Sequence, residues 1–253
     1  LVESTYGNRK HVVEDPEQRL GLIVRETVAR GGTVLLPSFA VGRSQVLMLL
    51  LHRLKQRGEI PDVPVFLDSP MASKVVDVYG RHQDLFDDEA KRVWRGHANP
   101  FKLPNLHITE STDESMAINR IERGIIVIAG SGMANAGRIL HHFKHRLHRK
   151  QTHVVFVGYQ AEGTTGRRIV DGAQWVRIHG HDVRVNAKRH TVGGLSAHAD
   201  QRGLMDWYGQ FKGHPPLALV HGEDKAREAL AGELGEAYGI TATLARPGLE
   251  IEV

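Results

Sequence analysis

Thr33-Val34-Leu35-Leu36-Pro37-Ser38-Phe39-Ala40-Val41-Gly42-Arg43 is the stretch on which the fold turns. Thr33 to Leu36 is a short apolar run halted by Pro37, the pattern of a buried strand. Small residues then make a loop, and Arg43 opens a helix that runs to about Lys55 and is closed by Gly58. Upstream, Asp15-Pro16-Glu17 is a helix start with a capping side chain, proline at the first helical position and acid in the first turn. Leu20, Ile23, Val24, Thr27 and Val28 follow at helical spacing until Gly31-Gly32 stops the helix. Downstream the alternation repeats: strand Val65–Leu67 and helix Ala72–Tyr79, strand Leu106–Thr109 and helix Asp113–Ile121. Strand Ile125–Ala129, helix Gly137–Arg149 and strand Val154–Val157 complete it. Continuously apolar strands separated by amphipathic helices predict an α/β fold, a parallel sheet flanked by helices on both faces.

The remainder reads differently. Trp175–Ile178 and Val183–Ala187, parted by His179-Gly180-His181-Asp182, form a hairpin or a crossing to another sheet. A last α/β stretch has helix Gln201–Phe211, strand Leu217–Val220, helix Asp224–Tyr238 and β-like segments Thr241–Leu244 and Leu249–Val253. At the other end, Leu1-Val2-Glu3-Ser4-Thr5-Tyr6-Gly7 reads as the end of a buried strand running into a loop.

Composition narrows the function. The 253 residues carry 33 Lys+Arg against 29 Asp+Glu, a formal net charge of +4 that suits a polyanion partner. Hydrophobic residues at 41% mark a folded chain rather than a disordered one. No apolar run is long enough for a membrane span. Zero cysteines exclude a disulfide scaffold, a thiolate zinc site and thiol catalysis, and suit a cytoplasmic setting.

In open α/β sheets ligands gather beyond the carboxyl ends of the strands. There the sequence has Pro37-Ser38-Phe39-Ala40-Val41-Gly42-Arg43, Asp68-Ser69-Pro70-Met71-Ala72, Gly130-Ser131-Gly132-Met133 and Gly158-Tyr159-Gln160-Ala161-Glu162-Gly163-Thr164. Each opens a helix, so free N–H groups and the positive dipole end can face an anion. Small residues also simply make tight turns, and neither a phosphate-loop lysine nor a dinucleotide fingerprint is present.

Histidines are abundant, at 16. Gly193-Gly194-Leu195-Ser196-Ala197-His198-Ala199-Asp200 and Leu217-Ala218-Leu219-Val220-His221-Gly222-Glu223 each present one, the second where a strand ends. A neutral imidazole at a strand end can serve as a metal ligand, or be merely exposed. His141, His145 and His148 share one helix face, but Arg138, Lys144, Arg146, Arg149 and Lys150 surround them. That face reads as solvated and basic, suited to nucleic acid or a partner rather than to a metal.

In order along the chain, Glu3-Ser4-Thr5-Tyr6-Gly7, Phe39-Ala40-Val41-Gly42-Arg43, Asp68-Ser69-Pro70-Met71-Ala72, Ser131-Gly132-Met133, Gly158-Tyr159-Gln160 through Gly163-Thr164, Ser196-Ala197-His198-Ala199-Asp200 and Val220-His221-Gly222-Glu223 resemble the β-CASP group of the metallo-β-lactamase superfamily. The resemblance covers nearly the whole chain. It implies a β-CASP domain over residues 13–182, with residues 1–12 and 183–253 as portions of a metallo-β-lactamase αββα domain. It further implies a zinc-dependent ribonuclease with two zinc ions per active site, acting on single-stranded RNA. Glu3 corresponds to the motif A acid, His198 to the motif B histidine and His221 to the motif C histidine. His221 is then a zinc ligand, and His198 sits near the scissile phosphate with Glu3 orienting its ring. Ser38, Phe39, Arg43, Ser69, Met71, Ser131, Gly132, Met133, Gly163 and Thr164 become substrate-binding residues.

The departure is equally specific: the family's main zinc motif, His-x-His-x-Asp-His, occurs nowhere in the 253 residues. The expectation is a truncated chain or proteolytic fragment, inactive by itself and without full zinc. Apolar faces lacking their partner sheet would then lead to local disorder around His190–Asp200 or to a homo-oligomer. The rival from another class is a non-catalytic RNA-binding or scaffold subunit, against which Glu3, His198 and His221 stand, since such a subunit has no chemical need of them.

Overall fold

The computed structural model describes residues 1–11, 14–95, 101 and 105–250. The elements run β1 (Val2–Glu3), α1 (Pro16–Ala29), β2 (Thr33–Pro37), α2 (Arg43–Gln56), β3 (Val65–Asp68) and α3 (Pro70–Arg81). Then come α4 (Asp88–Arg95), β4 (Leu106–Ile108), α5 (Thr112–Ile118), β5 (Ile125–Ala129), α6 (Arg138–Arg146), β6 (Thr152–Phe156) and α7 (Thr165–Val170). The chain continues with β7 (Trp175–Ile178), β8 (His181–Arg184), β9 (Lys188–Thr191), α8 (Gln201–Tyr208), β10 (Ala218–Val220), α9 (Asp224–Tyr238) and β11 (Thr243–Leu244). Two compact units result: Glu14–Leu195, and Leu1–Val13 with Ser196–Val253.

The larger unit is built on a six-stranded sheet of order β4-β3-β5-β2-β6-β9, every pairing parallel. Side chains alternate across it. Val34, Leu36, Ile126 and Ile128 join the core made with α1, α2 and α3, whereas Leu35, Ile125 and Val127 join the core beneath α6, α7 and β7. All five residues of β2 and of β5 are buried, because both sheet faces are covered. Asp15 caps α1 through its side chain, accepting from the amides of Glu17 and Gln18, with Pro16 at the first helical position. β7 and β8 pair antiparallel, so the segment with two readings is a hairpin.

The smaller unit carries a three-stranded parallel sheet, β1-β10-β11. Val2, Leu219, Leu204, Leu230 and Leu234 form its core, with α8 and α9 packed on it.

Three elements depart from expectation. β9 is an edge strand of sequence Lys188-Arg189-His190-Thr191 and was not anticipated, since it has no apolar run; only one neighbour, β6, holds it. That pairing places β9 in the larger unit, which runs to Leu195. α4 is short and mostly charged, and the sequence reading places no helix there. Leu249 and Glu250 are not in a strand, and the rest of that expected segment lies outside the described residues, as does the expected boundary at 12–13. No helix among the described residues is long and apolar enough to cross a membrane.

Candidate active site

Parallel pairing of β1 with β10 aligns Glu3 with Val220, so Glu3 and the following His221 reach the same sheet edge. Beyond Val220 the backbone turns sharply: His221 takes a left-handed φ of 48°. A non-glycine residue there is strained, and such strain is held only where neighbours fix it. The Ser4 amide donates to His221 O at 3.3 Å and Thr5 Oγ1 donates to the same oxygen at 3.2 Å. Gly222 is obligatory, because a Cβ would stand 2.7 Å from Ser4 O.

His198 arrives from the loop before α8. Asp200 caps that helix by accepting from the Gly203 amide at 2.9 Å, and its other oxygen accepts from the His11 amide at 2.9 Å. These two amides hold the Asp200 carboxyl below the usual carboxylate range. The His198 ring stacks on His221 with centroids 5.4 Å apart and planes at 23°. Glu3 Oε2 accepts from the Thr5 amide at 2.7 Å and lies 3.3 Å from His198 Nδ1.

Thr5, to which the sequence reading gave no role, connects both rings. Its hydroxyl oxygen lies 3.3 Å from His198 Nδ1 and 3.2 Å from His221 Nδ1. Its single proton goes to His221 O, so toward the rings it acts as an acceptor. Both Nδ1 atoms are then the protonated ones, and no side chain among the described residues engages either Nε2. A carboxylate two residues before a backbone N–H was the only hint in Glu3-Ser4-Thr5.

Ligand atoms of Glu3, His198 and His221 all lie within 4.8 Å of one another, and among the described residues they are the only such group of three or more. Imidazole nitrogen and carboxylate oxygen are donors that zinc takes. With Glu3 and both Nδ1 atoms committed inside the protein, the two Nε2 atoms remain to meet an ion or a substrate, so these residues fit as part of a zinc site and do not complete one.

Two family models match the chain: the Beta-Casp domain over residues 44–169 and the Zn-dependent metallo-hydrolase RNA specificity domain over residues 182–245. Ribonuclease TTHA0252 of Thermus thermophilus is 41% identical over 254 residues, covering 100% of this chain and 58% of the relative. Transcription termination factor FttA of Methanosarcina mazei is 33% identical, covering 92% of this chain and 38% of the relative. The FttA of Pyrococcus horikoshii is 31% identical over 95% of this chain and 38% of its own length. The chain belongs to the β-CASP group of the metallo-β-lactamase superfamily. Glu3, His198 and His221, far apart along the chain, converge in space.

The ten β-CASP residues expected to bind substrate lie in the larger unit, at the carboxyl ends of β2, β3, β5 and β6. The hydroxyls serve the fold. Ser69 caps α3 and Thr164 caps α7, Ser131 Oγ accepts from the Asn135 and Ala136 amides, and Ser38 Oγ lies 3.0 Å from Ser44 Oγ. Phe39, Met71 and Gly163 are exposed, Arg43 and Met133 are half-buried, and Gly132 is buried.

His141, His145 and His148 are exposed, as the reading of a solvated basic face requires. Arg146 does not belong to that face. It is fully buried, donating to Thr33 Oγ1 and to the carbonyls of Ile118 and Ile121. Arg138 turns to Asp68 at 2.8 Å. Sequence reading also missed His142, buried on the opposite side of the same helix with Nε2 2.6 Å from Asp68 Oδ2.

Proposed function

We propose that these residues are the RNA-gripping part and the motif A, B and C part of a zinc-dependent phosphodiesterase that hydrolyses single-stranded RNA. The observation that carries this reading is the convergence of Glu3, His198 and His221 within 4.8 Å. A non-catalytic scaffold would have no use for it. The name of the second matching family model and the ribonuclease and termination-factor relatives support an RNA substrate. Residues 13–182 form the β-CASP domain in this reading, and residues 1–12 with 183–253 belong to the metallo-β-lactamase portion.

Bound zinc would supply Lewis acidity and activate water at neutral pH. His221 Nε2 would help hold it. As an imidazolium, protonated on both nitrogens, His198 would donate its Nε2 proton to the leaving oxygen and remain the Nδ1–H tautomer, with Glu3 and Thr5 keeping that Nδ1 edge turned inward. Loops at the carboxyl edge of the β-CASP sheet bind the sugar–phosphate chain, with the positive dipole ends of α2 and α3 facing it.

The chain spans 58% of the Thermus relative and 38% of the two termination factors, and it contains no His-x-His-x-Asp-His. By themselves the 253 residues should therefore bind RNA in a salt-sensitive way, hold zinc below stoichiometry and leave RNA uncut. Metal analysis and an RNA-cleavage assay check this. Two tightly bound zinc ions per chain with chelator-sensitive cleavage would overturn the inactivity. Equal retention of RNA and of a neutral polymer at low salt would overturn the RNA binding.

A further inference from the structure

One side chain on the β-CASP sheet edge is placed in a way that anion binding does not use. Phe39 is 47% exposed, yet it is held firmly. Its carbonyl accepts from the Ser44 amide at 3.3 Å, from Ser44 Oγ at 2.8 Å and from Ser38 Oγ at 3.3 Å. Buried Gln45 donates from Nε2 to Ala40 O at 3.1 Å and to Ala72 O at 3.4 Å, tying this loop to the start of α3. The ring rests on Gly132, where a Cβ would stand 2.7 Å from two of its carbons. That glycine is fixed in turn by buried Gln160, whose Nε2 donates to Gly132 O at 3.0 Å. One side of the ring is thus seated on bare backbone, and about half of the residue stays open to solvent.

Leaving an aromatic ring exposed forgoes its burial free energy, and bracing it against collapse removes the cheap way to recover that energy. A flat, pre-positioned ring on a chain of net charge +4 suits a partner that is itself flat, aromatic and attached to a polyanion. We propose that Phe39, seated on Gly132, is a nucleobase-stacking platform for unpaired bases of single-stranded RNA. This rests on the RNA-binding reading above and adds to it a contact to the base rather than to the backbone. Stacking of this kind accepts any base and rejects paired ones.

The test is fluorescence anisotropy of the whole chain with two ligands: a single-stranded RNA and a same-length abasic ribose–phosphate oligomer. Base–aromatic stacking predicts that F39A and F39L weaken RNA binding by roughly 5- to 100-fold while leaving the abasic oligomer unchanged. F39W should stay within about twofold of the parent by the same physics. G132A keeps the ring but pushes it off its seat, so it should lose the same base-dependent share. Unchanged thermal unfolding of these variants checks folding. Parental RNA affinity in F39A, or equal losses on both ligands, would overturn the platform while RNA binding stood. No binding of either ligand by the parent chain would remove the RNA reading and the platform together.

Discussion

Asp68 with His142 and Glu3 with His198 are the same chemical pair, a carboxylate at the end of a parallel strand facing an imidazole, put to opposite uses. Asp68 and His142 are 0% exposed and 2.6 Å apart. Every acceptor direction of Asp68 is filled: Arg138 and Thr109 donate to Oδ1, and Ser115 and His142 meet Oδ2. Those partners come from α5, α6 and the end of β4, so one carboxylate ties three elements to β3. Glu3 and His198 are 29% and 36% exposed and 3.3 Å apart, with His198 Nε2 left without a partner among the described residues. Saturation makes the first pair a structural tie. Unsaturation leaves the second able to do chemistry.

Removing the acid should therefore cost very different amounts in the two places. D68A and D68N leave Arg138 facing a site that no longer neutralises it, and breaking a buried pair this way costs about 3–5 kcal/mol. E3Q acts on a half-exposed pair and should change stability by no more than about 1 kcal/mol. Urea unfolding of the three variants measures both numbers. Equal losses in D68N and E3Q would mean that the two pairs do the same job.

Acid should separate a second pair of sites. Burial alone would raise the Asp68 pKa, but hydrogen bonds from His142, Thr109 and Ser115 hold it well below its ordinary 3.8. Its stabilisation is fully present above 3.8 and is lost as pH falls toward the depressed folded value. His153 on β6 is a different case. Burial first, then the positive charges of His190, Lys188 and Arg30, lower it from 6.5 to about 4. The unfolded chain then takes up that proton more readily, so stability is level above about 6.5 and declines between 6.5 and about 4. His153 Nδ1 is 2.7 Å from Thr27 Oγ1 and 3.1 Å from His190 Nε2, and burial also lowers His190. Thermal unfolding against pH should show the first decline in the parent chain and a flattened one in H153Q. A persistent slope in H153Q would assign it elsewhere.

The sequence made the repeating strand–helix order legible, because β2 and β5 are continuous apolar runs and Asp15-Pro16 is a complete helix start. It also placed Glu3, His198 and His221, though only as an ordered set of motifs, since each alone could be an ordinary turn residue. What it could not give were partnerships across long separations. Asp68 looked like part of an anion loop because nothing local reveals that Arg138 and His142 fold back onto it. Arg146 looked like surface charge because its acceptors are the carbonyls of Ile118 and Ile121, which carry no side-chain signature. Lys188-Arg189-His190-Thr191 shows no strand pattern because an edge strand owes its conformation to its neighbour rather than to its own burial.

The finest of these differences lies in one hydroxyl. In the Asp68 pair the imidazole is fixed by the carboxylate itself, whereas both rings of the open site share Thr5 Oγ1. T5S keeps the donor to His221 O and the acceptor for both Nδ1 atoms, whereas T5V removes all three contacts without changing the shape of the side chain. Loss of these ordinary hydrogen bonds should cost about 1–2 kcal/mol, so T5V stays folded. The rings, however, lose what sets their tautomer. Nitrogen chemical shifts of His198 and His221 should report protonated Nδ1 in the parent chain and T5S, and mixed tautomers in T5V. Orienting partners of this kind are worth about 10–100-fold in metal affinity, so T5V should weaken zinc uptake by that factor and T5S should restore it. Parental ring shifts in T5V would show that Glu3 and the left-handed turn at His221 suffice to orient the rings, and that the hydroxyl serves only the backbone.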